Sequence, residues 1–295
     1  MICVLHVTGA GRSGSTLLGR MLGQIPGFFD VGEAGYLWER GLAADGLCGC
    51  GRRVRRCPVW SAVLEKAFGG VRPDVLADMS RLHSMTTRGR NVLAAAVPGR
   101  SVAAPERYHH SLARLYGAVA EVSGCRIVVD TTKPAPYAHI LARTPGIELT
   151  VVHLVRDPRA VAWSWLRHKA DSMAVRPAWR SALLWRAGNR AAARLRGERY
   201  LLLRYEDLIG DPRRRLREIA LLADPATPRP RIPAVDAGGI ELRPTHTVAG
   251  NVDRHTSGRT PLRADDQWTG AMPAASRRVV ELLTFPAGRH YGYRR

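Results

Sequence analysis

Short apolar runs, each followed by a polar loop and then by apolar residues at helical spacing, recur along this chain. The first run covers residues 2–8 and leads through a glycine-rich loop into a segment whose apolar residues, from Leu17 to Leu22, share one helical face. Strands buried on both faces have this continuous apolar character, because helices cover both sides of a parallel sheet. The pattern therefore predicts an α/β fold with three α/β/α layers around a central parallel sheet. Comparable runs lie at residues 27–33, 125–130, 149–155 and 199–204.

Longer segments between and after the predicted strands carry helical spacing. The clearest helix is predicted at residues 105–120, and others at residues 177–195 and 274–283. Residues 224–234 are rich in proline and predict a loop. Because no repeat and no long linker interrupts the pattern, we expect residues 1–295 to form one domain.

The loop that follows the first strand has the composition of an anion-binding site at a helix N-terminus. Its spacing is close to that of the P-loop, G-x-x-x-x-G-K-[ST], because Gly9, Gly14 and Thr16 fit the pattern. The lysine position holds Ser15, and the nearest cation is Arg12. The missing lysine argues against nucleoside triphosphate chemistry, whereas Arg12 and the hydroxyl groups suit a phosphate-like group. We therefore predict a P-loop NTPase-like fold that binds an anion other than a nucleoside triphosphate.

The charge and the apolar content limit the classes of partner. The formal net charge is +20, but only three of the 45 basic residues are lysines, and the arginines are spread along the chain. We therefore expect an anionic small molecule and no nucleic-acid partner. No apolar run reaches the ~18 residues of a membrane span, and no signal-type segment precedes the first strand, so a cytoplasmic protein without a transmembrane segment is expected.

Three of the five cysteines, Cys48, Cys50 and Cys57, form a local cluster. The odd total without a signal sequence favours reduced thiols. A disulfide, or a zinc site with His83 or another residue as the fourth ligand, is an alternative, although C-x-C-x6-C is not a standard zinc spacing. The role of the cluster stays open, and the prediction is a protein that requires no metal.

The loop after the first strand resembles the 5′-phosphosulfate-binding loop of the sulfotransferases that use 3′-phosphoadenosine-5′-phosphosulfate (PAPS). In that family a Lys or Arg precedes a Ser-Gly-[Ser/Thr]-Thr segment. The resemblance implies that this loop binds the 5′-phosphosulfate of the cofactor. The matching residues here are Gly11, Arg12, Ser13, Gly14, Ser15 and Thr16.

Two later segments are similar to other parts of the same family. Arg156 and Ser164 have the eight-residue separation of the family's 3′-phosphate-binding segment, and Asp157 is a good helix N-cap between them. Near the C-terminus, Asn251 and Arg254 lie in a His-x-x-x-Gly-Asn…Arg segment similar to one that closes over the nucleotide in bacterial relatives. The resemblance implies that these four polar residues also contact the cofactor.

Sulfuryl transfer to a hydroxyl group needs a base, and the family uses Glu or His. Glu33 follows the second predicted strand and is placed like the Gly-Glu carboxylate of tyrosylprotein and related carbohydrate sulfotransferases. His6 and His153 lie inside apolar runs and are weaker alternatives. The segment that begins at Asp130 is similar to the Asp-[Ser/Thr]-[Ser/Thr]-Lys segment of bacterial sulfotransferases, in which Lys133 could stabilise developing charge. A kinase would instead use Asp130 to hold magnesium.

The resemblance extends from Val4 to about Tyr291 and implies a bacterial enzyme that transfers the sulfuryl group of PAPS. The acceptor would be a hydroxyl or amine of a small molecule, carbohydrate or lipid, and no metal would be needed. A variable helical insert at about residues 36–125 would cover the acceptor, and residues 238–295 would cover the cofactor. The alternatives are a P-loop small-molecule kinase and a non-catalytic anion-binding protein. The expected catalytic residues are Glu33, Arg12 and Lys133.

Overall fold

A five-stranded parallel sheet lies at the centre of the computed structural model, which describes residues 1–87, 89–100, 102–167, 175–236 and 238–293. The strand order is β2-β3-β1-β4-β5, and every neighbouring pair is parallel. The predicted central sheet is therefore confirmed, with helices on both of its faces. The strands are β1 (Ile2–Thr8), β2 (Phe28–Gly32), β3 (Ile127–Asp130), β4 (Ile147–Val155) and β5 (Tyr200–Arg204).

The α-helices connect these strands and extend beyond the last of them. Their ends follow the expected local signals, as where the Asp157 carboxylate accepts a hydrogen bond from the Arg159 backbone N–H at 2.8 Å. The helices are α1 (Ser15–Leu22), α2 (Pro58–Phe68), α3 (Pro73–Thr87), α4 (Gly89–Ala96), α5 (Glu106–Ser123), α6 (Ala135–Leu141), α7 (Pro158–Leu166), α8 (Ala178–Ala193), α9 (Tyr205–Gly210), α10 (Pro212–Ala223), α11 (Trp268–Ala271) and α12 (Ala274–His290).

Alternate residues of the central strands pack into two different hydrophobic cores. Val4 of β1 and Val128 of β3 contact the core formed with α2, α5 and α6. Leu5 and Val129, the next residues along each strand, contact the core formed with α1 and α10 on the opposite face. Both faces are thus buried, which is why these strands have continuous apolar runs rather than alternating ones.

The C-terminal third departs from the sequence prediction in two places. A small antiparallel sheet forms where the sequence predicted no strand, because β6 (Val235–Asp236) and β8 (Gly258–Thr260) both pair with β7 (Gly239–Leu242). Helix α12 also continues past Leu283 and includes Pro286. Its packing against α8 outweighs the backbone hydrogen bond that a proline removes.

The connection between β2 and α2 contains short non-α turns. These are the 3₁₀ helices Ala34–Tyr36 and Val54–Arg56 and the π-helix Leu37–Ala43. A further 3₁₀ turn, Val252–His255, lies in the C-terminal segment. Within the described ranges, none of the helices combines the length and apolar character that crossing a bilayer requires.

Candidate functional site

Each central strand delivers a polar group to the same edge of the sheet. The glycine-rich loop follows β1, Glu33 follows β2, and Lys133 lies three residues beyond β3. Arg156 follows β4 directly, and Tyr205 follows β5. The carboxyl ends of parallel strands meet at one edge, and in open α/β sheets that edge is where ligands bind.

A cleft of about 380 Å³ opens at this edge. Two sequence segments line this cleft: the loop after β1 and the segment that contains Arg156 and Ser164. The resemblance implied that these segments bind the two ends of one cofactor. Among the described residues, the lining does not include four that the sequence analysis had named: Gly11, Ser13, Glu33 and Arg254. The predicted residues that line it are Arg12, Gly14, Ser15, Thr16, Lys133, Arg156, Ser164 and Asn251.

The loop backbone has a positive φ at three positions, which are Gly9 (142°), Arg12 and Gly14. Gly14 has φ 92° and immediately precedes α1, and a Cβ there would lie 2.5 Å from the Tyr205 ring. Arg12 has φ 69°, which is uncommon for a residue with a side chain. The hydroxyl groups of Ser13 and Ser15 are buried and have no hydrogen-bond partner within the described part of the chain. Buried unsatisfied donors beside a helix N-terminus suit an anionic ligand.

Arg156 connects the loop, the fifth strand and the C-terminal segment. Its Nη1 donates to the Arg12 carbonyl at 3.1 Å, and its guanidinium lies 4.6 Å from the centre of the Tyr205 ring. Its Nη2 forms an ion pair with Asp265 Oδ2 at 3.0 Å. The Arg156 carbonyl accepts a hydrogen bond from Trp185 Nε1 at 2.9 Å. The side chain is therefore held at the cleft wall, with a carboxylate where an anionic ligand would bind.

Glu33 lies behind the cleft wall rather than on it. Its Oε1 accepts a hydrogen bond from Lys133 Nζ, and its Oε2 lies 3.6 Å from Arg40 Nη1. The Lys133 carbonyl accepts from the Thr8 hydroxyl at 3.0 Å, which fixes this segment against the end of β1. Because Lys133 lines the cleft and Arg40 is half-exposed, the carboxylate has one cation toward the cleft and one toward solvent.

The two histidines considered as bases are core residues. His6 is fully buried, and burial lowers its pKa to about 3. His153 bonds to Asn189 Oδ1 at 2.9 Å and to the Tyr200 hydroxyl at 2.6 Å, and burial lowers its pKa to about 4. Both imidazoles are therefore enclosed by the core, whereas the Glu33 carboxylate contacts Lys133, which lines the cleft.

Asp130 has the surroundings of a structural carboxylate. It is fully buried, accepts hydrogen bonds from the Tyr116 hydroxyl and from the Thr132 backbone N–H, and lies 3.7 Å from His6 Nδ1. Burial raises its pKa to about 6. A magnesium-holding carboxylate needs to face the phosphates, and Asp130 instead organises the turn that leads to Lys133. This placement disfavours the kinase alternative.

Several residues that line the cleft did not emerge from sequence reasoning, among them Arg20, Tyr205 and Asp265. Arg20 lies four residues after Thr16, so the two share a helix face, and this spacing was the available signal. Burial lowers the pKa of Arg20, and Asp30 and Asp253 act in the opposite direction. Tyr205 and Asp265 carried no signal, because their roles depend on contacts with Arg156.

The C-terminal segment contributes Asn251 to the cleft but directs Arg254 elsewhere. Asn251 Nδ2 donates to Asp253 Oδ2 at 2.6 Å. The Arg254 guanidinium donates to the carbonyls of Gly250 at 3.1 Å and Leu47 at 3.4 Å. Asn251 therefore lines the cleft, whereas Arg254 joins the segment to the insert.

The cysteine cluster is completed by a histidine that the sequence did not indicate. The ligand atoms of Cys48, Cys50, Cys57 and His246 all lie within 4.8 Å of one another. His83, the fourth ligand considered from the sequence, is buried elsewhere, with its Nδ1 3.3 Å from the Tyr108 hydroxyl. All five cysteines are free thiols.

Comparisons with known proteins agree with these features. Residues 5–224 match the model of the family described as "Sulfotransferase family". Human carbohydrate sulfotransferase 2 is 27% identical over 222 residues, which cover 59% of this chain and 39% of that protein. Rat carbohydrate sulfotransferase 3 is 28% identical over 179 residues, which cover 52% of this chain and 35% of that protein. The chain thus spans less than half the length of these curated relatives.

A solved structure supports the fold. The sulfotransferase domain from the Synechococcus PCC 7002 olefin synthase aligns over 99% of this chain and 95% of that domain, with a TM-score of 0.54 and 21% sequence identity. At that identity the likeness establishes a shared fold, and the P-loop-like α/β prediction is confirmed.

Proposed function

The chain belongs to the Sulfotransferase family, and from this premise we propose that it transfers the sulfuryl group of PAPS to a hydroxyl or amine group of an acceptor molecule. Family membership makes it a transferase of sulfuryl groups. Beyond the family, we propose the donor, the acceptor class and the role of each residue.

One observation supports the proposed donor above the others: the loop after β1 and the Arg156–Ser164 pair line the same cleft. A molecule with phosphate groups at both ends can bridge two anion-binding elements, and PAPS has a 5′-phosphosulfate and a 3′-phosphate. The buried hydroxyl of Ser15 and the cations of the cleft fit this charge. We assign the 5′ end to the loop and the 3′-phosphate to Arg156 and Ser164.

In the proposed reaction an acceptor oxygen attacks the sulfur atom while the bond from sulfur to the 5′-phosphate oxygen breaks. Glu33 takes the proton of the acceptor hydroxyl, and 3′-phosphoadenosine-5′-phosphate leaves with the negative charge. Arg12 and Lys133 stabilise the charge that develops on the sulfuryl and bridging oxygens, together with the hydroxyl groups of Ser15 and Thr16. Positioned cations and N–H groups of this kind supply much of the rate enhancement in group transfer.

The acceptor is proposed to approach from the side of Arg40. This guanidinium faces Glu33 Oε2, is half-exposed, and lies 4.0 Å from the centre of the Tyr36 ring. An exposed cation next to an aromatic ring suits an oxygen-rich acceptor, and the curated relatives are named carbohydrate sulfotransferases. A carbohydrate is therefore the first acceptor class to test, followed by other small molecules and lipids.

Calorimetric binding of 3′-phosphoadenosine-5′-phosphate tests the proposed donor. Adenosine 5′-phosphate isolates the contribution of the 3′-phosphate, and ATP with magnesium tests the kinase alternative. We expect Arg156→Ala to weaken binding of the bisphosphate roughly 10- to 100-fold, as loss of a charge-assisted hydrogen bond implies. Binding of adenosine 5′-phosphate should change little in the same variant.

The matched control is Arg213→Ala, which removes the same charge from an exposed position on α10. A preference for ATP with magnesium, or equal affinity for the nucleotides with and without the 3′-phosphate, would overturn the proposed donor. Once binding is established, transfer of radioactive sulfate from PAPS to a panel of acceptors separates an enzyme from a non-catalytic anion-binding protein.

A further inference from the structure

Three cysteines and one histidine from distant parts of the chain meet at one point outside the cleft. Cys48 and Cys50 lie in a tight turn in which the Gly51 N–H donates to the Cys48 carbonyl at 2.9 Å. Cys57 directly precedes α2, and His246 comes from the C-terminal segment 189 residues later. The four ligand atoms lie within 4.8 Å of one another. Three sulfur atoms and one imidazole nitrogen form a common ligand set for structural zinc.

The distances within the cluster match those of a tetrahedral zinc site. With Zn–S bonds of about 2.3 Å and Zn–N bonds of about 2.0 Å, tetrahedral geometry places sulfur atoms about 3.8 Å apart and sulfur about 3.5 Å from nitrogen. The sulfur atoms of Cys50 and Cys57 are 3.9 Å apart. His246 Nδ1 lies 3.2 Å from the Cys57 sulfur and 3.9 Å from the Cys48 sulfur. One ion at the centre would therefore reach all four ligands with small adjustments.

A disulfide accounts for less of this arrangement. It would require two sulfur atoms at about 2.05 Å, and it would leave the third cysteine and the histidine without a role. The histidine is also held in place independently, because the Trp60 indole N–H donates to the His246 carbonyl at 2.7 Å.

We propose that Cys48, Cys50, Cys57 and His246 bind one zinc ion that joins the insert to the C-terminal segment. Binding displaces the thiol protons and leaves a closed Cys₃His site, which has no open position for a substrate and so has a structural role. The ion's presence does not depend on the proposed sulfuryl transfer.

The contacts around the cluster show what such an ion would hold in place. The Gly49 N–H donates to the Thr247 carbonyl at 2.9 Å, and a side chain at Gly49 would collide with Thr247. The Val248 N–H then donates to the Val31 carbonyl at 2.8 Å, and the Glu33 N–H donates to the Val248 carbonyl at 2.8 Å. The ion would thus fix the segment that pairs with the end of β2 and continues to Asn251.

Metal analysis of the full chain, purified without an affinity tag from zinc-supplemented medium, is the direct test. We expect about one zinc ion per chain by mass spectrometry of the metal content. Replacement by Co²⁺ should give the intense visible bands of a tetrahedral site and a thiolate-to-metal charge-transfer band. Cys57→Ser and His246→Ala should lose the zinc, whereas Cys125→Ser, which changes a cysteine outside the cluster, should retain it.

Hydrogen exchange of the wild-type protein tests the structural role without any variant that could misfold. Removal of the ion with a chelator should increase amide exchange at Val248 and Glu33 and leave the amides of β4 unchanged. Wild-type protein without zinc and without a tetrahedral Co²⁺ spectrum would overturn the proposal, and so would a Cys50–Cys57 disulfide found by intact mass. Because these readouts do not involve PAPS, they remain valid if the proposed donor is wrong.

Discussion

The five strand ends that form the floor of the cleft are fixed by the parallel sheet, whereas the C-terminal segment at residues 245–267 is held over it by separate contacts. Val248 pairs with β2, the Asp253 carbonyl accepts from Arg20 Nη1 at 2.9 Å, and Asp265 forms an ion pair with Arg156. Apart from one 3₁₀ turn and β8, this segment has little regular structure in the described residues. From this difference we infer that the floor supplies the catalytic groups, whereas the C-terminal segment controls how tightly a ligand is bound.

Glu33 belongs to both regions, and its substitution should have the largest effect. Glu33→Gln keeps an oxygen that can accept from Lys133 but removes the base. We expect turnover to fall roughly 10²- to 10⁴-fold, the usual contribution of general base catalysis. Affinity for 3′-phosphoadenosine-5′-phosphate should stay within a few-fold of wild type, because Glu33 lies outside the cleft wall.

The measurements are sulfate transfer to an acceptor from the panel and calorimetry with the bisphosphate, with Glu39→Gln as the neighbouring control. A variant with normal turnover and lower thermal stability would assign Glu33 to the packing of Val248 instead. In that case the floor would no longer supply the base, and the functional difference between the floor and the C-terminal segment would be smaller.

Arg20 should have the next largest effect. It is almost fully buried, and its Nε and Nη2 atoms have no hydrogen-bond partner within the described residues. Since it lines the cleft, we expect Arg20→Ala to weaken bisphosphate binding roughly 10- to 100-fold and Arg20→Lys to restore part of that loss. Calorimetry with Arg213→Ala as the charge control checks this. Unchanged affinity with a lower Tm would show that Arg20 only connects α1 to the Asp253 carbonyl.

Asp265→Asn should have a smaller effect in the opposite direction. In wild type an incoming phosphate must replace the Asp265 carboxylate at Arg156, and the variant removes that competition. We expect about two- to fivefold tighter binding of the bisphosphate, with the difference shrinking at high salt, as for a partly exposed ion pair. Asp266→Asn, an exposed neighbour, should bind like wild type. Weaker binding by Asp265→Asn would mean that the carboxylate contacts the ligand directly.

The same division explains what the sequence could predict. The floor was predictable because each part lies within one strand–loop–helix unit, as with Gly14 before α1 and Arg156 before α7. The C-terminal segment was expected from the resemblance, but its contacts with the floor were not, because they join residues far apart: Arg20 and Asp253 are separated by 233 positions. The place of His246 in the cysteine cluster could not be predicted for the same reason, because no local pattern distinguishes it from His83.

The smallest expected effect concerns the stability of the floor itself. Asp30 is buried beneath the end of β2, where its Oδ1 accepts from the Gly32 N–H at 2.9 Å. Burial raises its pKa to about 7, with Asp130 acting in the same direction and Arg20 and the Gly32 N–H against it. Between about pH 4 and pH 7 the folded protein therefore holds a proton that the unfolded chain has lost. Stability due to this group falls as pH rises through that range.

Asp30→Asn removes this pH dependence. The free energy of unfolding of the variant, relative to that of wild type, should therefore increase from pH 4 to pH 8. Because the amide brings its own NH₂ group into a buried site, we expect a net gain on the order of 0.5 kcal/mol at pH 8, or about 1–2 °C in Tm. His6 and His153, whose pKa values burial lowers, act with the opposite sign in both proteins, so they cancel in the difference. Thermal melts across this pH range measure it, with Asp266→Asn as the exposed control. If the difference in Tm between the variant and wild type does not change with pH, then Asp30 is already ionised in the folded protein at pH 4 and is paired with Arg20.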